Sequence, residues 1–302
     1  MERLLRDGCA VTIVDDLSAA GPDGAPRTAA PLHRLDVADA ALADVLAETR
    51  PDIVFHLAAQ TSVVRSMNDP RADAAANVLG GLNVLTQCVR FGTRRVTVFS
   101  TGGALYGEPE SLPCPESHPI RPLSVYGASK HALEHYTNII CGTNGLPYTI
   151  LRPGNVYGPG QNPHGEAGVV AIFAMAMLAN HDVTVYGDGM QERDFIYVDD
   201  VVDAAMATLS DNAPASGSFN IASGVPTSVN DIFSLIAAET GYRREPVHAP
   251  ERPGEVRRIY LDTARARAGL EWTPRTGLQE GISRTVAAFR SRAVTPRIAA
   301  RG

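Results

Sequence analysis

Apolar positions along the chain fall into two kinds of run. Short β-branched stretches read as strands buried on both faces, and longer stretches with apolar residues every three or four positions read as helices. Met1–Asp7 reads as the end of an amphipathic helix that Gly8 closes. Ala10–Val14, Pro51–Leu57, Arg95–Phe99 and Tyr148–Leu151 read as strands. Between them, Asp69-Pro70 opens a helix running to about Arg90 with Asn77 and Asn83 on it. A second helix carries Tyr126 and Lys130 and runs to about Asn144. Such alternation predicts an α/β fold with a doubly wound parallel sheet.

After Arg152-Pro153 the pattern loosens. Residues 154–160 and 162–165 are rich in Gly, Pro and Asn. A helix at Gly168–Asn180, a strand at Val183–Tyr186, a turn at Gly187–Gly189 and a helix at Asp199–Leu209 follow. A strand at Phe219–Ile221 and a helix at Thr227–Gly241, capped by Thr227 or Ser228, come next. The expected division is a dinucleotide-type domain over 1–152 and a smaller mixed α/β substrate lobe over 153–302, with 194–212 returning to the first domain.

The chain has 302 residues, 44% hydrophobic and 20% charged, as in ordinary globular enzymes. A net charge of -6 argues against a nucleic-acid surface, which would be basic. Cys9, Cys88, Cys114 and Cys141 lie far apart without a Cys-x-x-Cys, so neither a disulfide framework nor a metal site is expected, and the pattern suits a reducing cytoplasmic setting. The longest apolar stretch, near Ala167–Ala179, is too short to span a bilayer, and no signal peptide is recognised. The Arg- and Ala-rich tail after Ser291 reads as frayed.

The chemistry centres on Ser124-Val125-Tyr126-Gly127-Ala128-Ser129-Lys130. Tyr and Lys four apart share a helix face, and a nearby ammonium favours phenolate, turning a weak base into a usable one. Ser100 and Thr101 follow a strand, where open α/β sheets bind ligands, and Gly102-Gly103 leave space beside them. Asp15-Asp16 end the first strand, and such an acid accepts hydrogen bonds from a ribose 2′-OH. Ala58 and Ala59 let a flat cofactor approach, and Asp36-Val37 are positioned for an adenine edge. Arg193 and Arg252 are candidates for an anion clamp, each with a surface salt bridge as the alternative.

Taken together, Val14–Ser18, His56–Gln60, Ser100–Glu108, Tyr126–Lys130, Leu151–Pro159, Pro163–Gly168, Arg193–Val198, Arg252–Glu255, Asp262 and Gly269–Pro274 resemble the extended short-chain dehydrogenase/reductase family of nucleotide-sugar epimerases and dehydratases. Within it they are most similar to the UDP-glucose 4-epimerase group, and the likeness runs through nearly the whole chain. It implies a Rossmann-like fold, NAD as cofactor, a UDP-sugar as substrate and a homodimer built on the helices around Asp69–Arg90 and Tyr126–Asn144, with no nucleic-acid or membrane partner. It implies Tyr126, Lys130 and Thr101 as catalytic, and Asp15, Asp16, Asp36, Val37, Leu57, Ala58, Ala59, Ser100, Tyr126, Lys130 and Pro153 around the cofactor. Thr101, Tyr126, Asn155, Gly168, Val169, Tyr186, Arg193, Arg252 and Glu255 would hold the substrate. The implied reaction is oxidation at sugar C4, turning of the ketone and reduction on the other face. Other NAD-dependent changes to a nucleotide sugar (5,6-dehydration, 4-reduction, C5 epimerisation) and a non-catalytic sugar-nucleotide binder are the alternatives.

Three departures qualify the resemblance. The first strand and its glycine-rich turn are missing ahead of Asp15, and Met1–Leu5 matches the middle of the family's first helix; poor NAD binding by the chain as written is therefore expected. The position where the family has Ser or Thr is Gly102, so Thr101, ahead of Ser100, is expected to take that role. Gly102-Gly103 stand where 4,6-dehydratases carry Asp-Glu, which disfavours that reaction. Ile259 matches the position that gates N-acetyl groups and is intermediate in bulk, leaving UDP-N-acetylglucosamine open as a substrate.

Overall fold

The computed structural model describes residues 1–19, 28–163, 168–252 and 256–294. Helix α1 (Glu2–Arg6) ends at Asp7, and Gly8 follows with φ 81°. Strand β1 (Ile13–Asp15) pairs in parallel with β2 (Leu32–Arg34), and α2 (Leu42–Thr49) buries Leu42, Val45 and Leu46. Strand β3 (Ile53–His56) leads to α3 (Val63–Asn68) and α4 (Pro70–Ala74). Asp69 caps α4 by accepting from the Ala72 N–H, with Pro70 in the first turn.

The chain then passes through a π-helical turn (Ala75–Leu79) into α5 (Gly80–Phe91). The sequence pattern predicts one regular helix from Asp69 to Arg90. The π turn interrupts it, and a wider turn shifts the rotational register of α5 relative to α4. Asn77, inside that turn, is buried.

Strand β4 (Arg95–Phe99) and helix α6 (Val125–Asn144) agree with their expected bounds. Ser124 caps α6 by accepting from the Gly127 N–H, and Gly145 closes it at φ 65°. After them come β5 (Tyr148–Pro153), β6 (Asn155–Tyr157), α7 (Val169–Leu178), β7 (Thr184–Tyr186), β8 (Glu192–Tyr197) and α8 (Val198–Ala207). The chain continues with β9 (Ser216–Ile221), β10 (Pro226–Ser228), α9 (Val229–Thr240), β11 (Val247–Ala249), α10 (Ala264–Leu270) and α11 (Leu278–Val294). Ser228 caps α9 in a reciprocal capping box with Asp231.

The main sheet is parallel, in the order β3-β4-β5-β9. β1 and β2 form a separate pair, with no ladder joining β1 to β3 among the described residues. This corrects the expectation of a first strand at 10–14 buried on both faces. β1 is shorter and only partly buried, because it is paired on one edge alone. In the later part of the chain, β8 lies between β6, parallel, and β10, antiparallel, and β7 pairs with β11.

Between β4, β5 and helices α2, α5 and α6 lies a core of Leu46, Val84, Leu85, Val96, Val98, Leu133 and Ile150. A second core under α7, α9 and α11 includes Phe173, Phe195, Ile232, Ile236 and Ile282.

A buried ion pair ties α6 to β5. Arg152 grips both oxygens of Glu134, at 2.9 and 2.6 Å, and also donates to the Tyr106 hydroxyl at 2.9 Å. Tyr106 in turn donates to Asn220 Oδ1 on β9 at 2.8 Å. Asn220 Nδ2 donates to the backbone oxygens of Cys114 and Asp262.

Candidate active site

β4 delivers Ser100 and Thr101 to its C-terminal end, and the first turn of α6 brings Tyr126 towards them. The Tyr126 N–H donates to Ser66 Oγ at 3.1 Å, which locks that turn against α3. Gly127 permits the approach: a Cβ there would sit 2.3 Å from the Ala104 carbonyl oxygen. The Thr101 hydroxyl lies within hydrogen-bonding reach of the Tyr126 phenol and favours its ionised form. Gly102 has no room for a side chain, since a Cβ would lie 2.3 Å from Leu261 Cδ1 and 3.0 Å from the Arg152 carbonyl oxygen. That crowding is a physical reason why the hydroxyl comes from Thr101.

The electrostatics depart from expectation in one respect. An ammonium one turn away predicts an acidified phenol. Instead, burial pushes the Tyr126 phenol up to about 12, with Asp73 adding to the rise and the Thr101 hydrogen bond opposing it. Desolvation of the phenolate outweighs any pull from Lys130. Lys130 is itself buried, and desolvation lowers its pKa to about 8 against the raising influence of Glu134 and Asp73. His56, buried beneath α5 and α6, is held neutral by burial and by Lys130, its pKa lowered to about 3.

Asp73 and its partners escape the sequence reading. Asp73 Oδ1 accepts from Gln60 Nε2 at 2.8 Å and from Asn77 Nδ2 at 3.1 Å. Asn77 also donates to Ser129 Oγ, which donates to the Tyr126 carbonyl. A buried network therefore joins the loop after β3 to the helix of Tyr126 and Lys130. In sequence, Asp73 looks like an ordinary acid in the first turn of a helix; only the fold reveals its burial.

The remaining expected residues divide by region. Asp15 and Asp16 stand at the end of β1, and their carboxylates accept from the N–H groups of Leu17 and Ser18 within their own loop. Asp36 accepts from the Ala38 N–H, and Val37 packs close to Gly80. Leu57 is exposed, while Ala58 and Ala59 are partly buried beyond β3. Pro153 ends β5, and its carbonyl accepts from the Gly102 N–H at 2.7 Å. Asn155 Oδ1 faces Gly103. Gly168, at φ 110°, precedes α7, which Val169 begins.

The Arg252 guanidinium lies 3.8 Å from the centroid of the Tyr186 ring, in a cleft lined by Gln191, Glu251, Val256 and Arg257 as well. Arg193 donates to the Glu192 carbonyl and is not among the residues described in that cleft. Arg257, held by both oxygens of Asp188, is the cation beside Arg252 that sequence reasoning missed. Glu255 lies outside the described residues, as do His164–Ala167. Ile259 is buried among Leu105, Tyr106, Val256 and Leu261.

A dinucleotide fits this arrangement at the reacting end. Ser100 Oγ, at the C-terminal end of β4, is buried without a hydrogen-bond partner, as a group reserved for a polar ligand would be.

Parallel strands alternating with helices, and a Tyr–Lys–Thr constellation at their C-terminal ends, define a dinucleotide-dependent enzyme of the α/β class. Residues 1–222 match the NAD dependent epimerase/dehydratase family, and the chain belongs to it. It is 42% identical to a UDP-glucose 4-epimerase of Mycolicibacterium smegmatis, over 97% of this chain and 94% of that protein. A solved UDP-glucose 4-epimerase of Thermotoga maritima with UDP-glucose superposes with a TM-score of 0.93 at 40% identity, covering 97% of this chain and 94% of the other. A Thermus thermophilus UDP-glucose 4-epimerase in complex with NAD gives 0.90 at 40% identity, with 96% and 94% covered. No described helix is long and apolar enough to cross a membrane, and no described cluster of three or more His, Cys, Asp or Glu is arranged for a metal.

Proposed function

We infer that the chain interconverts UDP-glucose and UDP-galactose by transient oxidation at sugar C4. The observation that carries this reading is the Thr101 hydroxyl within reach of the Tyr126 phenol, one helical turn from buried Lys130. In this role Tyr126 Oη accepts the proton of the C4 hydroxyl, holds it while the sugar turns, and returns it to the C4 oxygen when hydride comes back to the opposite face of C4. Thr101 orients the hydroxyl, and Lys130 supplies the positive charge that keeps the acceptor available.

NAD, when bound, supplies the hydride acceptor and donor. Ser100, Lys130 and Pro153 would hold it at the reacting end, with Leu57, Ala58 and Ala59 along its length and Asp15, Asp16, Asp36 and Val37 at the adenosine end. Tyr186 and Arg252 would bind the uridine diphosphate, supported by Arg257, with Asn155, Gly168, Val169, Arg193 and Glu255 completing the pocket. Such remote contacts retain the ketone while the hexose reorients.

The chain forms a homodimer through α5 and α6. Supporting this, Tyr136 and Ile139 on α6 are exposed at 42% and 61%, and Leu79 before α5 at 58%. Light scattering at two chain masses would agree with it.

To test the activity, the NAD-supplemented chain is given UDP-glucose and its products are resolved. Epimerisation yields UDP-galactose with no net NADH, whereas a product lighter by water indicates dehydration. Tyr126→Phe is expected to abolish conversion while UDP still binds; conversion at the parent rate would refute the assignment.

A further inference from the structure

Asp73 lies on α4, which packs against α6, and its side chain is buried at 1% exposure. Its Oδ1 accepts hydrogen bonds from two uncharged amides, those of Gln60 and Asn77. Its Oδ2 is buried with no partner, and no ion pair among the described residues includes it. A carboxylate is costly to bury on those terms. Two consequences follow from its place.

The first is orientation. A carboxylate only accepts, so Gln60 and Asn77 must both turn their NH2 groups towards it. That leaves Asn77 Oδ1 to accept from the Gln60 N–H at 2.9 Å, while Asn77 Nδ2 donates to the Gln60 carbonyl at 3.0 Å. It also leaves Gln60 Oε1 to accept from the Ser62 N–H. Asn77 Nδ2 reaches on to Ser129 Oγ at 3.1 Å, one residue before Lys130. The loop after β3, where Ala58 and Ala59 would line the cofactor, is thereby fixed against α6.

The second is charge. Lys130 is buried on α6 with Tyr126 and Glu134 on the same helix, His56 on β3 and Asp73 on α4 around it. His56 is neutral. Glu134 shares its charge with Arg152 on β5, which engages both of its oxygens. Asp73 shares its charge with no cation through a contact of its own. Glu134 and Asp73 both favour the charged form of Lys130 against desolvation.

We propose that Asp73 is a positioning residue for the reaction: through Gln60 and Asn77 it clamps the cofactor-lining loop to the helix of Tyr126 and Lys130, and its negative charge holds Lys130 as an ammonium. Its effect on turnover rests on the epimerase reading above; its effect on Lys130 does not.

Lys130 is the only lysine in the chain, so protein labelled with carbon-13 at lysine Cε gives one side-chain signal that reports this ammonium alone. The signal is followed against pH by NMR in the parent and in Asp73→Asn, which keeps an oxygen for Gln60 and Asn77 and loses the charge. The variant is expected to fold and its Lys130 to titrate at lower pH than in the parent. A folded variant with the Lys130 midpoint unmoved or raised would overturn the proposal, because a purely structural Asp73 leaves that midpoint where it is. Asp73→Ala also removes the clamp. With NAD supplied, its kcat should fall by about 100-fold while KM for the UDP-sugar, held remotely by Tyr186 and Arg252, stays near the parent value. An undiminished kcat would overturn the clamp. The Asp73→Asn titration needs no substrate, so it decides the matter if Asp73→Ala fails to fold or if the parent chain does not epimerise.

Discussion

Lys130 carries a charge that its surroundings resist, and that resistance is measurable. Its side chain is buried, and desolvation lowers its pKa from 10.5 to about 8 despite the opposing pull of Glu134 and Asp73. Between those values the unfolded chain still binds a proton that the folded chain has released. Stability therefore rises with pH through that window, and the whole penalty is present below it. A shift of this size amounts to about 3 kcal/mol near pH ~7 and less than ~1 kcal/mol near pH ~10.

Lys130→Met keeps most of the side chain's bulk and removes the charge. The variant is expected to unfold at higher urea concentration than the parent at neutral pH, with an unchanged m-value. Its advantage should shrink as the pH is raised towards that of free lysine. The same variant loses catalysis, as when a site is kept at the cost of stability. Urea melts of both proteins across the alkaline range provide the comparison. A variant less stable than the parent at neutral pH, or a gap that does not change with pH, would show that the ammonium is well accommodated and that the argument from desolvation fails.

Glu134→Gln leaves Arg152 buried and charged without its counter-ion, with an expected loss of about 3–5 kcal/mol in urea melts that adding Arg152→Met partly restores. Gly102→Ala forces a Cβ against Leu261 and the Arg152 backbone, with an expected cost of about 1–3 kcal/mol read from the melting temperature. Thr101→Val removes the hydrogen bond that favours phenolate, so turnover of the NAD-loaded chain should fall by up to ~10-fold and its basic pH requirement move upward. Arg252→Ala removes the cation stacked on Tyr186, and KM for the UDP-sugar should rise with kcat little changed, the signature of uniform binding.

The sequence was most legible where local chemistry marks an element's ends. Ser124 and Gly145 bracket α6, and the β-branched Arg95–Phe99 run is bounded in sequence and space alike. It was least legible where position depends on contacts distant in sequence. The π turn at Ala75–Leu79 has no local signature, yet it turns Asn77 inward to meet Gln60 and Ser129. Helix α2 was missed in the sequence: it is short, sits in a stretch rich in Ala and Asp, and only the fold shows Leu42, Val45 and Leu46 buried. The Tyr–Lys spacing gave the shared helix face and not the degree of desolvation, which decides the sign of the phenol's shift. Arg257 looked like one basic residue among several until β11 and β7 brought its neighbourhood against Tyr186.

The two ends of the site rest on different supports, and this bears on how it is controlled. Tyr126, Thr101 and Lys130 are held by β4, β5, α4 and α6, whose ladders and hydrogen bonds do not pass through β1 or β2. Asp15 and Asp16 stand on the separate two-stranded sheet, with their carboxylates turned to their own loop. The reacting groups can thus be fully in place while the adenosine end is not engaged. In that condition the phenol, raised to about 12, stays protonated at neutral pH and cannot act as a base. Positive charge near the phenol would offset the burial: Lys130 supplies one such charge, and an oxidised nicotinamide ring, when bound, would add another. The burial that opposes proton abstraction therefore makes the basicity of Tyr126 depend on the charge around it, so binding of an oxidised cofactor is expected to lower the phenol's pKa below its value in the chain alone, which a pH titration of the tyrosine with and without NAD would read.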